Sequence, residues 1–394
     1  MPRPRVTILI TSSPIPSHPS NIVLATVIAS MRRHLRDGAG FRVVVVFDGC
    51  SETTKESAFK RGKVSIDERS NYDRFVDESQ KTLLSCRLKC WDSNNSVALA
   101  SLSLESPDSP EPVAVTTNSY ISANCPQLCL CSCEQAGYDV NPVSTTSVTL
   151  EPFLKPSSLE ITECVDHSVA CIRVLGGKPL GQAIAVREAL KHVETEYVLA
   201  AQHDWRFSHD LDIGRFLSIL DLNDSLNYLG FISRRTAGYA AVARPASFPT
   251  SILESSAFPG CEGTDSLDKI PLCRSFFWFD KNHLARTSFY RDTVFSGRFR
   301  FKRGDFIEDT MGHVMLGEIK AAGIADGPVG ALEAWRKWGC VLFYPQNGSI
   351  NTLVHVNGRQ FLSTEAREEL ARKGRDNVGM GGSSSDSLLS AQTV

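Results

Sequence analysis

A run of seven residues, Phe-Arg-Val-Val-Val-Val-Phe at positions 41–47, constrains the fold more than any other part of the sequence. β-Branched and aromatic residues favour strands, and a strand with almost no polar interruption is typical of a parallel sheet covered on both faces. A similar run lies at residues 6–10, and apolar residues at helical spacing occupy residues 23–35 between the two. The order strand, helix, strand predicts an α/β protein with a parallel sheet and a right-handed crossover.

Length and charge narrow the class of protein. The chain has 394 residues, of which 42% are hydrophobic, and a formal net charge of -2 at pH 7. This length suits one large domain or two ordinary ones, and the near-neutral charge predicts no bulk attraction to nucleic acid. No apolar run approaches the roughly 20 residues that span a bilayer, and residues 6–10 are too short for the core of a signal peptide. We therefore expect a cytoplasmic protein without a membrane span.

Composition divides the chain into three parts. Residues 1–78 and 165–365 carry strand-like and helix-like patterns and are predicted to form one domain. Residues 79–164 are rich in Ser, Thr, Pro and Asn and lack periodicity, which predicts a disordered stretch, either a true insertion or an artefact of the gene model. Residues 366–394 are predicted to form a helical end and a disordered, Gly/Ser-rich tail.

Four of the 12 cysteines crowd together at Cys125, Cys129, Cys131 and Cys133. Their spacing matches no common zinc motif, and no paired set of Cys or His follows at a suitable distance. A cytoplasmic chain keeps most thiols reduced, so free thiols are the expected state. We predict no zinc site from these residues.

Another strand-like run, at residues 197–201, ends abruptly in Gln202, His203, Asp204 and Trp205. Open α/β sheets place their ligand sites at the carboxyl ends of strands, so a carboxylate at this point is a candidate ligand for a metal ion. A carboxylate that only caps a turn is the alternative explanation for Asp204.

Three further points carry groups suited to chemistry. Asp48 directly follows the run at 41–47, Glu308 and Asp309 open a predicted helix, and His355 lies in a late polar segment. An acidic pair at a helix start is a common place for a general base, and a His with a carboxylate can bind a divalent ion. An ordinary turn, the helix dipole and a structural histidine are the respective alternatives.

Several common motifs are missing from the sequence. The first strand is not followed by G-x-G-x-x-G, which argues against a dinucleotide-dependent oxidoreductase. The sequence also has neither the lysine-bearing phosphate loop of P-loop enzymes nor the G-x-S-x-G turn of α/β hydrolases. These three enzyme classes are therefore disfavoured.

The residues above, in this order, resemble GT-A-fold, family 2-like nucleotide-diphospho-sugar glycosyltransferases over residues 6–78 and 170–360. The Pro- and Ser-rich loop that begins at Ser13 looks like the segment that lies under the nucleotide in that family. Asp48 matches the acidic residue that contacts the base. The resemblance implies a single, Rossmann-like domain with a mostly parallel sheet flanked by helices, interrupted by the disordered insertion.

The resemblance also implies a divalent cation, Mn²⁺ or Mg²⁺, at residues 202–204, where the family carries a metal-binding D-x-D motif. Asp204 would hold the ion together with Gln202 and His355. Gln202 departs from the pattern, because the family has a carboxylate there and a neutral amide is a weaker ligand for a hard cation.

The remaining implied roles concern the two substrates. Asp309 or Glu308 resembles the catalytic base, and we predict that Lys178, Arg187 and Arg359 clamp the diphosphate of the donor. The predicted reaction moves a sugar from a nucleotide-sugar donor to a hydroxyl of an unknown acceptor (a glycan, a protein or a small molecule), with inversion at the anomeric carbon.

Aromatic residues are the candidates for the acceptor pocket. Trp205 follows the central strand, residues 276–279 form a predicted aromatic strand that contains Trp278, and His283 comes soon after. These side chains could stack on a sugar, and packing in the core is the equal alternative. Two other functions stay open: a sugar-phosphate nucleotidyltransferase, and a catalytically degenerate protein that binds nucleotides or carbohydrates.

Overall fold

A computed structural model describes residues 4–36, 40–85, 143–150, 157–164, 167–240 and 270–356. Its strands are β1 Val6–Ser12, β2 Leu35–Arg36, β3 Phe41–Phe47, β4 Ser51–Glu52, β5 Lys63–Val64, β6 Val143–Thr149, β7 Ser158–Cys164, β8 Val169–Leu175, β9 Tyr197–Gln202, β10 Trp205–Phe207, β11 Leu211–Asp212, β12 Tyr228–Phe231, β13 Leu272–Arg274, β14 His283–Arg286, β15 Cys340–Phe343 and β16 Leu353–His355.

The α-helices are α1 Ile22–His34, α2 Ile66–Ser85, α3 Gln182–Leu190, α4 Ile213–Leu222, α5 Arg234–Ala237, α6 Thr287–Phe289 and α7 His313–Arg336. Shorter turns are the 3-10 turns Phe59–Arg61 and Pro345–Gly348 and the π-helical turns Tyr290–Val294 and Glu308–Gly312. None of the helices in the described part of the chain is long and apolar enough to cross a bilayer.

A ten-stranded mixed sheet organises the described residues, in the order β13-β15-β12-β14-β9-β1-β3-β8-β7-β6. The central strands β9, β1, β3 and β8 are parallel to one another, and among the ten strands only β7, β13 and β14 run in the opposite direction. Helix α3 packs against β1 and β3, and α2 packs against β8. The predicted α/β class, with a mostly parallel sheet flanked by helices, is confirmed.

The sequence of the central strands explains their position. Every residue of β3 is buried, including Arg42, whose guanidinium pairs with Glu163 of β7 at 2.6 Å. A strand this apolar is stable only where both faces of the sheet are covered. The first crossover therefore brings β1 and β3 side by side in the middle of the core, in register from Val6 opposite Phe41 to Ser12 opposite Phe47.

The boundaries of the predicted disordered stretch, residues 79–164, were too wide. Helix α2 continues to Ser85, and β6 and β7 form a hairpin at the edge of the main sheet. All seven residues of β6 are exposed and most are Ser or Thr, so the strand gives no alternation of apolar residues to recognise. The rest of that stretch, the four clustered cysteines and residues 366–394 lie outside the described residues.

Strand β14 was not predicted, whereas the strand predicted at residues 276–279 is absent from the fold there. The aromatic residues of 276–279 pack in an irregular segment that leads into β14, with Phe276 and Trp278 buried. Because β14 is antiparallel to β9, it starts at the edge where β9 ends. The residues just before β14 therefore lie at the edge of the sheet where the central parallel strands end.

Candidate functional site

A cleft of about 540 Å³ lies at the carboxyl ends of the central strands. From β1 the chain adds β3 and β8 on one side and β9 on the other, so the strand order reverses between β1 and β9. Such reversal points open a crevice at the sheet edge and are the usual ligand sites of open α/β sheets. The cleft is lined by Thr11, Ser12, Ser13, Pro14, Ile15, Asp48, Gly49, Phe59, Arg61, Gly62, Pro179, Gly181, Gln182, Ala185, Gln202, His203, Asp204, Arg303, Gly304 and Phe306.

Asp48 fixes one wall of the cleft. Its carboxylate accepts hydrogen bonds from the backbone N–H groups of Leu180 at 2.7 Å, Gly49 at 2.8 Å and Gly181 at 3.0 Å. Burial raises the pKa of Asp48 to about 6, although the three N–H groups oppose the shift. The carboxylate predicted to contact the base therefore also ties the end of β3 to the loop before α3.

The floor of the cleft is made of backbone. Gly181 precedes α3 with a φ of 84°, and a Cβ there would lie 2.4 Å from the backbone nitrogen of Gly304. The Gly304 N–H in turn donates to the carbonyl of Leu180 at 3.0 Å. Only glycine at position 181 allows the two backbones to come this close, and Gly181 and Gln182 at the start of α3 line the cleft.

Asp204 and His355 meet because β10 pairs with β16 in antiparallel fashion, with Trp205 opposite His355. Nε2 of His355 lies 3.1 Å from Oδ2 of Asp204, while Oδ1 of Asp204 is buried without a partner among the described residues. Burial opposes ionisation of Asp204, but the hydrogen bond of His355 and the charges of His203 and His355 outweigh it and lower the pKa. The predicted pairing of a carboxylate with His355 is thus present.

Gln202 links the cleft to the segment before β14. Its side-chain Nε2 donates to the carbonyl of Asp280 at 3.0 Å, and its backbone N–H donates to Oδ1 of Asn282 at 3.2 Å. Because Nε2 is committed to a carbonyl, Oε1 is the atom of this amide that remains for a ligand.

Asp280 and Glu308 bind each other's backbone. Oε2 of Glu308 accepts from the N–H of Asp280, and Oδ2 of Asp280 accepts from the N–H of Glu308, both at 3.0 Å. Nε1 of Trp278 donates to the other oxygen of Asp280 at 3.1 Å. Burial raises the pKa of Asp280 to about 7 and also raises the pKa of Glu308. Asp309 is exposed, whereas Glu308 is bonded to Asp280, whose carbonyl accepts from the cleft residue Gln202.

His203 and Ser12 bring unpaired polar atoms to the cleft. Nδ1 of His203 lies 3.2 Å from the carbonyl of Thr11 and must carry the proton, because a carbonyl only accepts. Nε2 of His203 and Oγ of Ser12 are buried and have no partner among the described residues. Both atoms are therefore available to the hydroxyl groups or waters of a bound ligand.

The predicted diphosphate clamps are placed differently from the prediction. Arg187 lies outside the cleft lining and pairs with the buried carboxylate of Glu188 at 2.8 Å. The side chain of Lys178 is exposed and also outside the lining, although its carbonyl accepts from Arg303. Neither side chain lines the cleft, so their role as diphosphate clamps stays a prediction. Arg359 lies outside the described residues.

The cations that do line the cleft are Arg61 and Arg303. The guanidinium of Arg303 donates to the carbonyl of Pro179 at 2.9 Å, which holds it beside Asp48. Neither arginine was predicted, because an isolated arginine outside any motif carries no recognisable pattern.

Trp278 and His283 are core residues, and their prediction as acceptor contacts was wrong. Both are 0% exposed. His283 lies with its Nδ1 2.6 Å from the carbonyl of Lys281 and stacks on Tyr290, while Trp278 packs edge-on against His283. These buried rings pack in the core, which was the alternative explanation for the aromatic residues of this segment. Trp205 is partly exposed and packs edge-on against His355, so it remains a candidate for acceptor binding.

The donor atoms at Asp204 fit a divalent cation that is also bound by substrate phosphates. Within the described ranges, no three Asp, Glu, His or Cys side chains are grouped so as to hold a metal ion alone. Mg²⁺ is often bound by only one or two carboxylates together with phosphate oxygens and waters. The unpaired Oδ1 of Asp204 suits that arrangement, and Oε1 of Gln202 is the second nearby oxygen.

Comparisons with known proteins give a loose likeness. No family model matches the sequence, and no curated protein matches it. Among solved structures, a crystal structure of S. aureus TarS 1–349 aligns at a TM-score of 0.35 and 10% identity, over 91% of this chain and 62% of that chain. The same protein in complex with UDP aligns at 0.34 and 10%, over 87% and 59%. The chain thus spans about three fifths of the length of these structures.

Proposed function

We propose that the chain is a glycosyltransferase of the GT-A type, which moves a sugar from a nucleoside-diphosphate donor to an acceptor hydroxyl. The observation that carries the proposal is the cleft at the reversal of strand order. There Ser13, Asp48 and Asp204 meet in one cavity, and Gln202 connects it through Asp280 to the carboxylate of Glu308.

The donor side of the cleft has the groups that a nucleoside diphosphate requires. Asp48 and the Ser13 loop line this side of the cleft and would hold the base and the ribose, and the start of α3 lines the same cleft at Gly181 and Gln182. A divalent cation held by Asp204, Gln202 and His355 would neutralise the charge that develops on the leaving diphosphate. The guanidinium of Arg303 adds a fixed positive charge on the same wall.

Glu308 is the proposed general base. Its Oε2 is held by the N–H of Asp280, and its Oε1 forms no hydrogen bond with a described residue. The acceptor hydroxyl gives its proton to this carboxylate as its oxygen bonds to the anomeric carbon, and the bond from that carbon to the phosphate oxygen breaks with its electron pair. A single displacement of this kind inverts the anomeric carbon. The raised pKa of Glu308 strengthens it as a base.

Nucleotide binding is the first test. We expect UDP or another nucleoside diphosphate, with Mn²⁺ or Mg²⁺, to raise the melting temperature of the full chain. At 100 times its dissociation constant, a ligand adds about 2.7 kcal/mol to the free energy of unfolding. Asp204→Asn should weaken the cation-dependent part of this shift. If no nucleoside diphosphate changes the melting temperature, the donor site is not in this cleft.

Two neighbouring carboxylates provide a matched pair for the second test. We expect Glu308→Gln to slow transfer or donor hydrolysis by about 10²–10⁴-fold, the usual contribution of a general base. Asp309→Asn, one residue away and exposed, should leave the rate nearly unchanged. The reverse pattern would assign the base to Asp309.

The presence of Gln202 favours one alternative, a protein that binds nucleotide sugars without turning them over. A neutral amide in place of a carboxylate weakens cation binding. Nucleotide binding without hydrolysis or transfer, and restored turnover in Gln202→Asp, would support this alternative. A sugar-phosphate nucleotidyltransferase would instead release pyrophosphate, and the Pro- and Ser-rich loop after β1 disfavours it.

A further inference from the structure

The side-chain ammonium of Lys281 has no role in the proposed reaction. Its side chain is partly buried, and Nζ lies 5.6 Å from the ring centre of Trp205 and 5.5 Å from that of Phe279. Within the described ranges, this ammonium forms no hydrogen bond and no ion pair. Aromatic faces attract a cation, but they do not replace the hydrogen bonds that an ammonium makes in water.

Two charged side chains of the described residues act on Lys281. The carboxylate of Glu308 attracts it and the guanidinium of Arg235 repels it, while burial lowers the pKa of Lys281 to about 8. Lys281 is therefore mostly charged at neutral pH. Arg235 lies on α5, is exposed, and has no hydrogen bond or ion pair to the described part of the chain.

The topology explains why these two cations come together. Helix α5 follows the carboxyl end of β12, and the segment before β14 reaches the same edge of the sheet because β14 is antiparallel to β12. Lys281 thus lies by the ring of Trp205 and within reach of the charges of Glu308 and Arg235, and neither cation lines the donor cleft. Two like charges at one edge of the sheet, neither in an ion pair with a described carboxylate, form a site that an anion would complete.

We propose that Lys281 and Arg235 bind an anionic group, a phosphate or a carboxylate, of the acceptor substrate. The assignment to the acceptor, and not to the donor, rests on the proposed function: Glu308 takes the proton of the acceptor, and neither Lys281 nor Arg235 lines the donor cleft. The acceptor is then a molecule that carries negative charge near its reacting hydroxyl.

Trp205 gives the test a direct readout. The full chain has five tryptophans, so the indole N–H signals can be followed by NMR and the Trp205 signal assigned with Trp205→Phe. We expect inorganic phosphate and, in a separate titration, acetate to shift this signal. Lys281→Met and Arg235→Gln should each weaken the binding by about tenfold or more, the effect of a lost charge-assisted hydrogen bond. Lys337→Met, an exposed cation at the end of α7, is the matched control.

Repeating the titration with saturating UDP and Mg²⁺, which is diamagnetic and leaves the Trp205 signal visible, separates the two possible sources of the anion. An acceptor subsite still binds phosphate when the nucleotide is present. Competition between UDP and phosphate at Trp205 would assign Lys281 to the donor diphosphate and overturn the proposal. Phosphate binding that is absent, or unchanged in Lys281→Met, would also overturn it. Phosphate binding at Lys281 in a chain that binds no nucleotide would support the subsite and reject the glycosyltransferase function.

Discussion

Replacement of Asp48 by Asn should change how the stability of the protein depends on pH. Asp48 is buried, and its pKa rises from the usual 3.8 to about 6. Between these two pH values the folded chain holds a proton on Asp48 that the unfolded chain releases. The free energy of unfolding of the native protein therefore falls as pH rises through that window, and this contribution is constant above pH about 6.

The size of the effect follows from the shift. A pKa difference of about 2 units, at about 1.4 kcal/mol per unit, corresponds to about 3 kcal/mol. Asp48→Asn is neutral at every pH and lacks this term. Its amide N–H₂ would face one of the three backbone N–H groups, which costs about 1–3 kcal/mol at every pH. The stability of the variant relative to the native chain should thus rise by about 3 kcal/mol between pH 4 and pH 7.

Urea unfolding at a series of pH values, followed by tryptophan fluorescence, measures this difference. Asp224→Asn, which removes an exposed aspartate, serves as the control for general effects of charge. A stability difference between Asp48→Asn and the native chain that does not change with pH would refute the reasoning, and so would one that falls as pH rises.

Two further substitutions test the fold. Gly181→Ala should destabilise the protein by about 2–5 kcal/mol in thermal unfolding, because backbone strain adds to a clash with Gly304. The control is Gly297→Ala, which is also at positive φ but in open space and should cost only about 1 kcal/mol. Arg286→Met should cost about 2–4 kcal/mol of stability, because the guanidinium donates to the carbonyls of Leu226 and Asn223. It should leave nucleotide binding intact, and a loss of binding at unchanged stability would contradict this.

The sequence was sufficient where local chemistry and tertiary position agree. β3 is apolar because both of its faces are covered, so its composition and its place in the sheet carry the same information. The same holds for β9, whose abrupt polar end at Gln202 does mark the edge of the cleft. Asp48 and Asp204 could be placed at the cleft for this reason: Asp48 directly follows β3, and Asp204 lies two residues after the end of β9.

Other parts of the site depend on contacts that sequence spacing does not encode. Asp280 can contact Glu308 because β14 runs antiparallel to β9 and starts at the edge of the sheet where β9 ends. A strand of four residues such as β14 is too short to show a period in its sequence. Trp278 and His283 illustrate the reverse problem. Aromatic residues near a site suit ligand stacking and core packing equally well, and burial alone decides between them.

The contact between Gly181 and Gly304 limits how this cleft can be redesigned. A binding pocket is usually enlarged by shortening a side chain, but here two backbones already touch and there is nothing to remove. The hydrogen bond from Gly304 to Leu180 also resists separation of the two segments. Altered ligand preference would therefore have to come from lining residues whose side chains can be exchanged, such as Phe59 and Arg61.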